Sequence, residues 1–160
     1  MTLLLLLGIL AGGFALLTVV DAWRQPTRRF GAARRGRISL ALLFLFTGLG
    51  HFVQTDAMAE MLPPWTPART MTIWLSGFAE WLIAIGLLTP RCARTAGIAA
   101  IAFLFLVFPG NVYAAFNRVE FGGHAAGPMY LLVRGPFQLL LIAWAYWFSV
   151  RRTPGAPRPS

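Results

Sequence analysis

Residues 70–89 read TMTIWLSGFAEWLIAIGLLT, twenty positions with one ionisable side chain, Glu80, bracketed by Arg69 and by Pro90-Arg91. About 20 residues, each rising about 1.5 Å along a helix, cross the roughly 30 Å of hydrocarbon in a bilayer. Pro90 lacks an amide hydrogen and disfavours helix in the residue before it, so the segment ends at Thr89. The stretch is expected to be a membrane-spanning helix, which makes lipid the solvent for its neighbours too.

Reading outward finds four more apolar stretches, at 3–20, 38–53, 96–116 and 128–149. The expected fold is therefore all-α: one polytopic domain of five spans over 1–150, followed by a disordered tail at 151–160. A content of 58% hydrophobic and 12% charged residues lies outside the balance of soluble domains. No basic residue precedes the first stretch and no A-x-A pattern follows it, so it is expected to stay attached rather than act as a cleaved signal. Its Gly8-x-x-x-Gly12 spacing would let another helix approach closely, a homo-oligomer among the possibilities.

The net charge of +9 comes with 14 basic residues, all of them arginine. A nucleic-acid binder would gather them on one surface interleaved with aromatics, whereas here they cluster between apolar stretches. Six lie at Arg24, Arg28, Arg29, Arg34, Arg35 and Arg37, two at Arg91 and Arg94, and three at Arg151, Arg152 and Arg158. All eleven fall on one side of a five-span topology. Arg69 and Arg118 fall on the other, and Arg134 lies within a span. Basic flanks face the cytoplasm, so the chain is expected in a bacterial inner membrane with its N-terminus outside and its C-terminus inside. Trp65, Trp74, Trp144, Tyr146 and Trp147 lie near the span ends, where amphipathic rings anchor.

The lone Cys92 excludes an intramolecular disulfide and paired-thiol chemistry within the chain. With the topology set, His51, Asp56, Glu60, Glu80, Glu120 and His124 all map toward the outer half, and Asp21 alone toward the inner. Glu80 lies about 15 Å into its helix, where a carboxylate must be neutral, paired or hydrated. The expected partner is Arg134, about six residues into the last span with Gln138 one turn further on. Such a pair serves either to fix helix register or to act on a ligand. His51 follows Thr47 and Gly48 by one turn and suits a proton relay, a hydrogen bond to a quinone carbonyl, or a bond to a neighbouring helix. Pro109-Gly110-Asn111 introduces a bend whose freed backbone either lines a small cavity or is satisfied by Asn111 itself. Asp56, Glu60, Glu120 and His124 read as wet loop residues. No H-x-x-x-H, H-x-x-E-H or C-x-x-C spacing occurs, so no metal site is expected.

The ordered series Gly50-His51-Phe52, Met61-Leu62-Pro63-Pro64-Trp65-Thr66-Pro67, Ser76-Gly77-Phe78-Ala79-Glu80, Gly86-Leu87-Leu88-Thr89-Pro90 and Val107-Phe108-Pro109-Gly110-Asn111 resembles the DoxX family of small membrane proteins. The resemblance implies a four-helix transmembrane bundle formed by the second to fifth spans, with the first as an addition. It carries over His51, Pro63, Pro64, Glu80, Pro109 and Asn111 as motif positions. That family includes a subunit of a thiosulfate:quinone oxidoreductase and relatives that assist maturation of periplasmic redox enzymes.

The resulting expectation is a membrane component of a redox system, with an outer-facing polar cavity bounded by His51, Glu80, Asn111 and Arg134 that admits a quinone or small polar molecule. No flavin, iron-sulfur or nucleotide motif is present, so an electron path would need a partner protein or a quinone in the cavity. A non-catalytic anchor or assembly factor for a redox protein is the alternative, and a small-anion carrier using Arg134 is a third.

Overall fold

The computed structural model of the chain describes residues 2–23 and 30–151. Helix α1 comprises Thr2–Leu7, a π-helical stretch at Gly8–Gly12, and Gly13–Ala22. It is followed by α2 (Ala32–Val53), a short α3 (Thr55–Ala59), α4 (Arg69–Leu88) and α5 (Ala93–Phe116). A 3-10 segment at His124–Tyr130 leads into α6 (Leu131–Ala145), which runs on through a π-helical turn at Tyr146–Val150. No strand occurs among the described residues. Five helical stretches are long and apolar enough to span a bilayer, and the chain is an all-α, multi-pass membrane protein.

Helices α2, α4, α5 and α6 form a four-membered bundle in which each packs on the next and α6 returns to α2, while α1 leans on α2. The spans thus present two ends, one rich in arginine and one carrying the Pro63–Pro67 loop. Leu40, Phe44, Ala84, Leu87, Ala100, Leu141 and Ala145 fill the arginine-rich half with a buried apolar cluster. Buried polar side chains are placed instead in the half toward the Pro63 loop, Asp21, Ser39 and Ser149 excepted.

Several boundaries differ from those expected. Helix α2 begins at Ala32 rather than at residue 38, taking in Arg34, Arg35 and Arg37. Arginine is a good helix former, and its apolar stem lets the charged head reach water beyond the hydrocarbon. The loop at 54–69 contains α3 and a tight turn in which the Thr66 N–H donates to Pro63 O at 2.9 Å, with Pro64 fixing the corner. The last span starts earlier, at His124, but Gly127 at φ 74° interrupts it before the regular helix. The tail at 152–160 and the loop arginines Arg24, Arg28 and Arg29 lie outside the described residues.

At the arginine-rich end Asp21 is buried, accepting the Phe30 N–H at 2.9 Å and lying 3.7 Å from Arg35 Nη1. Phe14 of α1 also packs edge-on against Trp144 of α6, 5.6 Å between centroids. These contacts fasten α1 to the bundle.

Candidate functional site

Each helix of the bundle contributes polar side chains to its interior: His51 from α2, Glu80 from α4, Asn111 from α5, and Arg134 with Gln138 from α6. Glu80 lies about 16 Å along α4 by helix rise, in the depth of the hydrocarbon. Only 7% of its surface is exposed.

The meeting of His51 and Glu80 depends on two glycines. A Cβ on Gly48 would lie 3.1 Å from Gly77 O, and one on Gly77 would lie 3.1 Å from Gly48 O and 2.8 Å from the His51 Cβ. The backbones of α2 and α4 thus approach with nothing between them, and His51 is laid across Gly77. Trp81 clips the same pair by donating its Nε1–H to Leu45 O at 3.2 Å.

His51 Nδ1 lies 3.1 Å from Ile73 O and 2.8 Å from Ser76 Oγ, while the Ser76 hydroxyl donates to Ile73 O at 2.7 Å. A carbonyl can only accept, and the serine hydrogen is already committed, so Nδ1 carries a hydrogen and donates to both oxygens. This leaves Nε2 directed at Glu80 Oε1, 3.6 Å away. Ser76, His51 and Glu80 stand in the order of nucleophile, base and acid. The serine hydrogen, however, goes to its own helix backbone rather than to the imidazole, which suits a hydroxyl that orients His51 and not one that attacks a substrate.

The second pair joins α5 to α6. Pro109 lies inside α5 and leaves Phe105 O, four residues back, without its helix donor, while the Asn111 Nδ2 donates to Val107 O at 3.2 Å. Its Oδ1 is then free to accept the Arg134 Nε–H at 3.1 Å. One turn along α6, Gln138 donates through Nε2 to Leu104 O. Asn111 thus bonds its own helix backbone and also holds the arginine, but the carbonyl it meets is not the one that Pro109 frees.

The direct Glu80–Arg134 pair expected from depth alone is not formed. The two sit on α4 and α6, across the bundle from each other, within electrostatic reach but bonded to different neighbours. Among the described residues, Glu80 Oε2 and Gln138 Oε1 are buried without a hydrogen-bond partner, and the terminal nitrogens of Arg134 donate no hydrogen bond. Unpaired polar atoms at this depth mark a place where water or a ligand atom is wanted.

Other candidates fall elsewhere. Pro63 and Pro64 shape the loop rather than the site, and that loop lays Leu62 over Gly110 of α5, 3.5 Å from where its Cβ would be. Asp56, Glu60 and Glu120 are exposed. An open groove of about 500 Å³ is lined by Gln54, Thr55, Asp56, Thr70 and Trp74, at the edge of the bundle and not between His51 and Arg134. Among the described residues, no three of His, Cys, Asp or Glu gather as metal ligands.

His124 corrects the sequence reading. Far from being a wet loop residue, it is 2% exposed, donating Nδ1–H to Phe121 O at 2.8 Å, with Nε2 buried and unpartnered among the described residues. Its ring stands edge-on to Tyr130 at 4.8 Å, and the Tyr130 hydroxyl donates to Gly122 O at 2.6 Å. Gly122 and Gly123, at φ 63° and 104°, turn the loop inward beneath its own tip. His124, Tyr130, Arg134 and Gln138 thereby form a polar series leading from the loop into the bundle. The sequence signal was the glycine pair beside the histidine, which reads equally as a flexible loop.

A family model described as Domain of unknown function (DUF8561) matches residues 40–149, which include all the converging side chains. No curated protein and no solved structure matches the chain.

Proposed function

The chain belongs to the DUF8561 family, and from that premise and the four-helix centre we propose a DoxX-like membrane component of a redox system that binds a quinone head group or small polar molecule between the His51–Glu80 and Asn111–Arg134 pairs. The observation that carries this reading is the convergence of one polar residue from each helix into two bonded pairs, with Glu80 Oε2 and the Arg134 terminal nitrogens left over. Intramembrane ionisable groups are expensive and mark functional sites. A quinone carbonyl accepts from Arg134, and the His51–Glu80 pair exchanges a proton with the ligand on its other side. Electrons come from a partner protein. The arginine distribution supports a bacterial inner membrane, with the N-terminus and the Pro63 loop outside and the C-terminus in the cytoplasm.

Native mass spectrometry of the purified protein with a short-chain quinone analogue tests this. The wild type should hold the analogue, and His51→Ala and Glu80→Gln should lose it. Equal retention in both variants would sink the reading. The non-catalytic alternative, an anchor or assembly factor, draws on α1, where Cβ atoms on Gly8 and Gly12 would meet nothing within 4 Å and leave a face open to a partner helix or a second copy. Recovery of a stable partner with full function in the Glu80→Gln, Arg134→Gln double variant favours that alternative.

A further inference from the structure

Charge balance at the bundle centre narrows the ligand class, on the reading that the space between the two pairs is a ligand site. His51 Nδ1 donates to Ser76 and Ile73, so Nε2 and Glu80 Oε1, 3.6 Å apart, present lone pairs to each other unless a proton lies between them. With one proton there, the pair is neutral overall in either form. It is an imidazolium beside a carboxylate, or an imidazole beside a carboxylic acid. Glu80 thus has His51, and not Arg134, within ion-pair distance.

Among the described residues, Arg134 then has no carboxylate within ion-pair distance, and Glu80 reaches it only through space. The chain has five acidic residues. Asp21 is engaged with Arg35 at the far end of the bundle, Asp56, Glu60 and Glu120 are exposed in loops, and Glu80 lies 3.6 Å from His51. Asn111 contributes only a neutral carbonyl oxygen to Arg134, and Gln138, Tyr130 and the Nδ1-protonated His124 contribute no negative charge. A half-buried guanidinium within a span, with no carboxylate on its terminal nitrogens, favours an anion that joins them.

We propose that Arg134 is an anion-binding residue, its free terminal nitrogens taking a carboxylate or other oxyanion head group. A planar guanidinium offers two parallel donors to such a group, and its Nε is already fixed by Asn111, so the fork is held in place before the ligand arrives. The anion is the head group of a lipid or a small solute, and the chemistry at Arg134 is the same for both.

The test offers radiolabelled acetate, and neutral acetamide of the same shape, to the protein in phosphatidylcholine nanodiscs. The wild type should bind acetate at least about tenfold more tightly than acetamide, the worth of one charge-assisted hydrogen bond at low dielectric. Arg134→Gln should abolish the preference. Arg134→Lys, which keeps the charge, should retain it even where the glutamine variant folds poorly. Displacement of acetate by added phosphatidylglycerol assigns the site to a lipid head group, and indifference assigns it to a solute; both uphold the anion. Acetate binding absent from the wild type but present in Glu80→Gln overturns the proposal, since Glu80 would then be the counter-ion of Arg134. A wild type that binds the quinone analogue but shows no preference for acetate refutes this inference alone. A preference for acetate without quinone binding refutes the quinone reading alone.

Discussion

Glu80 on α4 and Arg134 on α6 face the same interior from opposite corners of the bundle, yet each makes its bond to a different helix. Had they paired directly, the centre would be a closed structural ion pair. Because His51 takes one and Asn111 the other, the polar groups are split into two pairs, and Glu80 Oε2 and Gln138 Oε1 are left without a hydrogen-bond partner among the described residues.

The close approach of α2 and α4 predicts a sharp contrast between two glycines. Gly77→Ala places a methyl 2.8 Å from the His51 Cβ and should lower stability by about 1–3 kcal/mol, because backbone rather than a flexible side chain must move. Gly135→Ala, with nothing within 4 Å of its Cβ, should be neutral or stabilising by about 0.5–1 kcal/mol through helix propensity. Thermal unfolding in detergent measures both.

Asn111 carries two loads, the carbonyl of Val107 and the Nε of Arg134. Asn111→Ala should therefore cost about 1–3 kcal/mol, more than a single surface hydrogen bond. A double-mutant cycle with Arg134→Gln should show coupling of at least about 0.5 kcal/mol, and additivity would separate the two residues.

In the loop above the site, Tyr130→Phe removes the hydroxyl that holds Gly122 O. The expected loss is about 0.5–1.5 kcal/mol, and it should be local. Hydrogen exchange should quicken in residues 117–127 while α4 and α5 stay unchanged.

Orientation is accessible through Cys92, which is exposed at the arginine-rich end between α4 and α5. A membrane-impermeant maleimide should leave it unlabelled in intact spheroplasts and label it after permeabilisation. Labelling of intact cells would reverse the assigned topology.

The spans were legible because twenty apolar residues with one charge admit few structures in any solvent but lipid. Depth was legible as well, since helix rise alone placed Glu80 in the hydrocarbon. What could not be read was which way around the bundle each helix faces. The charge of Arg134 made it the expected partner of Glu80, but azimuth gave the contact to His51, and that depended on Gly48 and Gly77 meeting face to face. His124 was hidden for a related reason. A glycine-rich stretch near a span end reads as solvated until positive φ at Gly122, Gly123 and Gly127 folds it inward. The early start of α2 was missed because arginines mark the limit of the hydrocarbon but not the limit of the helix.

The central claim is that Glu80 and His51 meet a ligand inside the membrane. Infrared difference spectroscopy, recorded as the quinone analogue is added to the protein in nanodiscs, tests it most directly. A ligand-induced change in the carboxyl region is expected for the wild type, absent in Glu80→Gln and altered in His51→Ala. An identical change in Glu80→Gln, or saturable binding with no carboxyl change in the wild type, would contradict it.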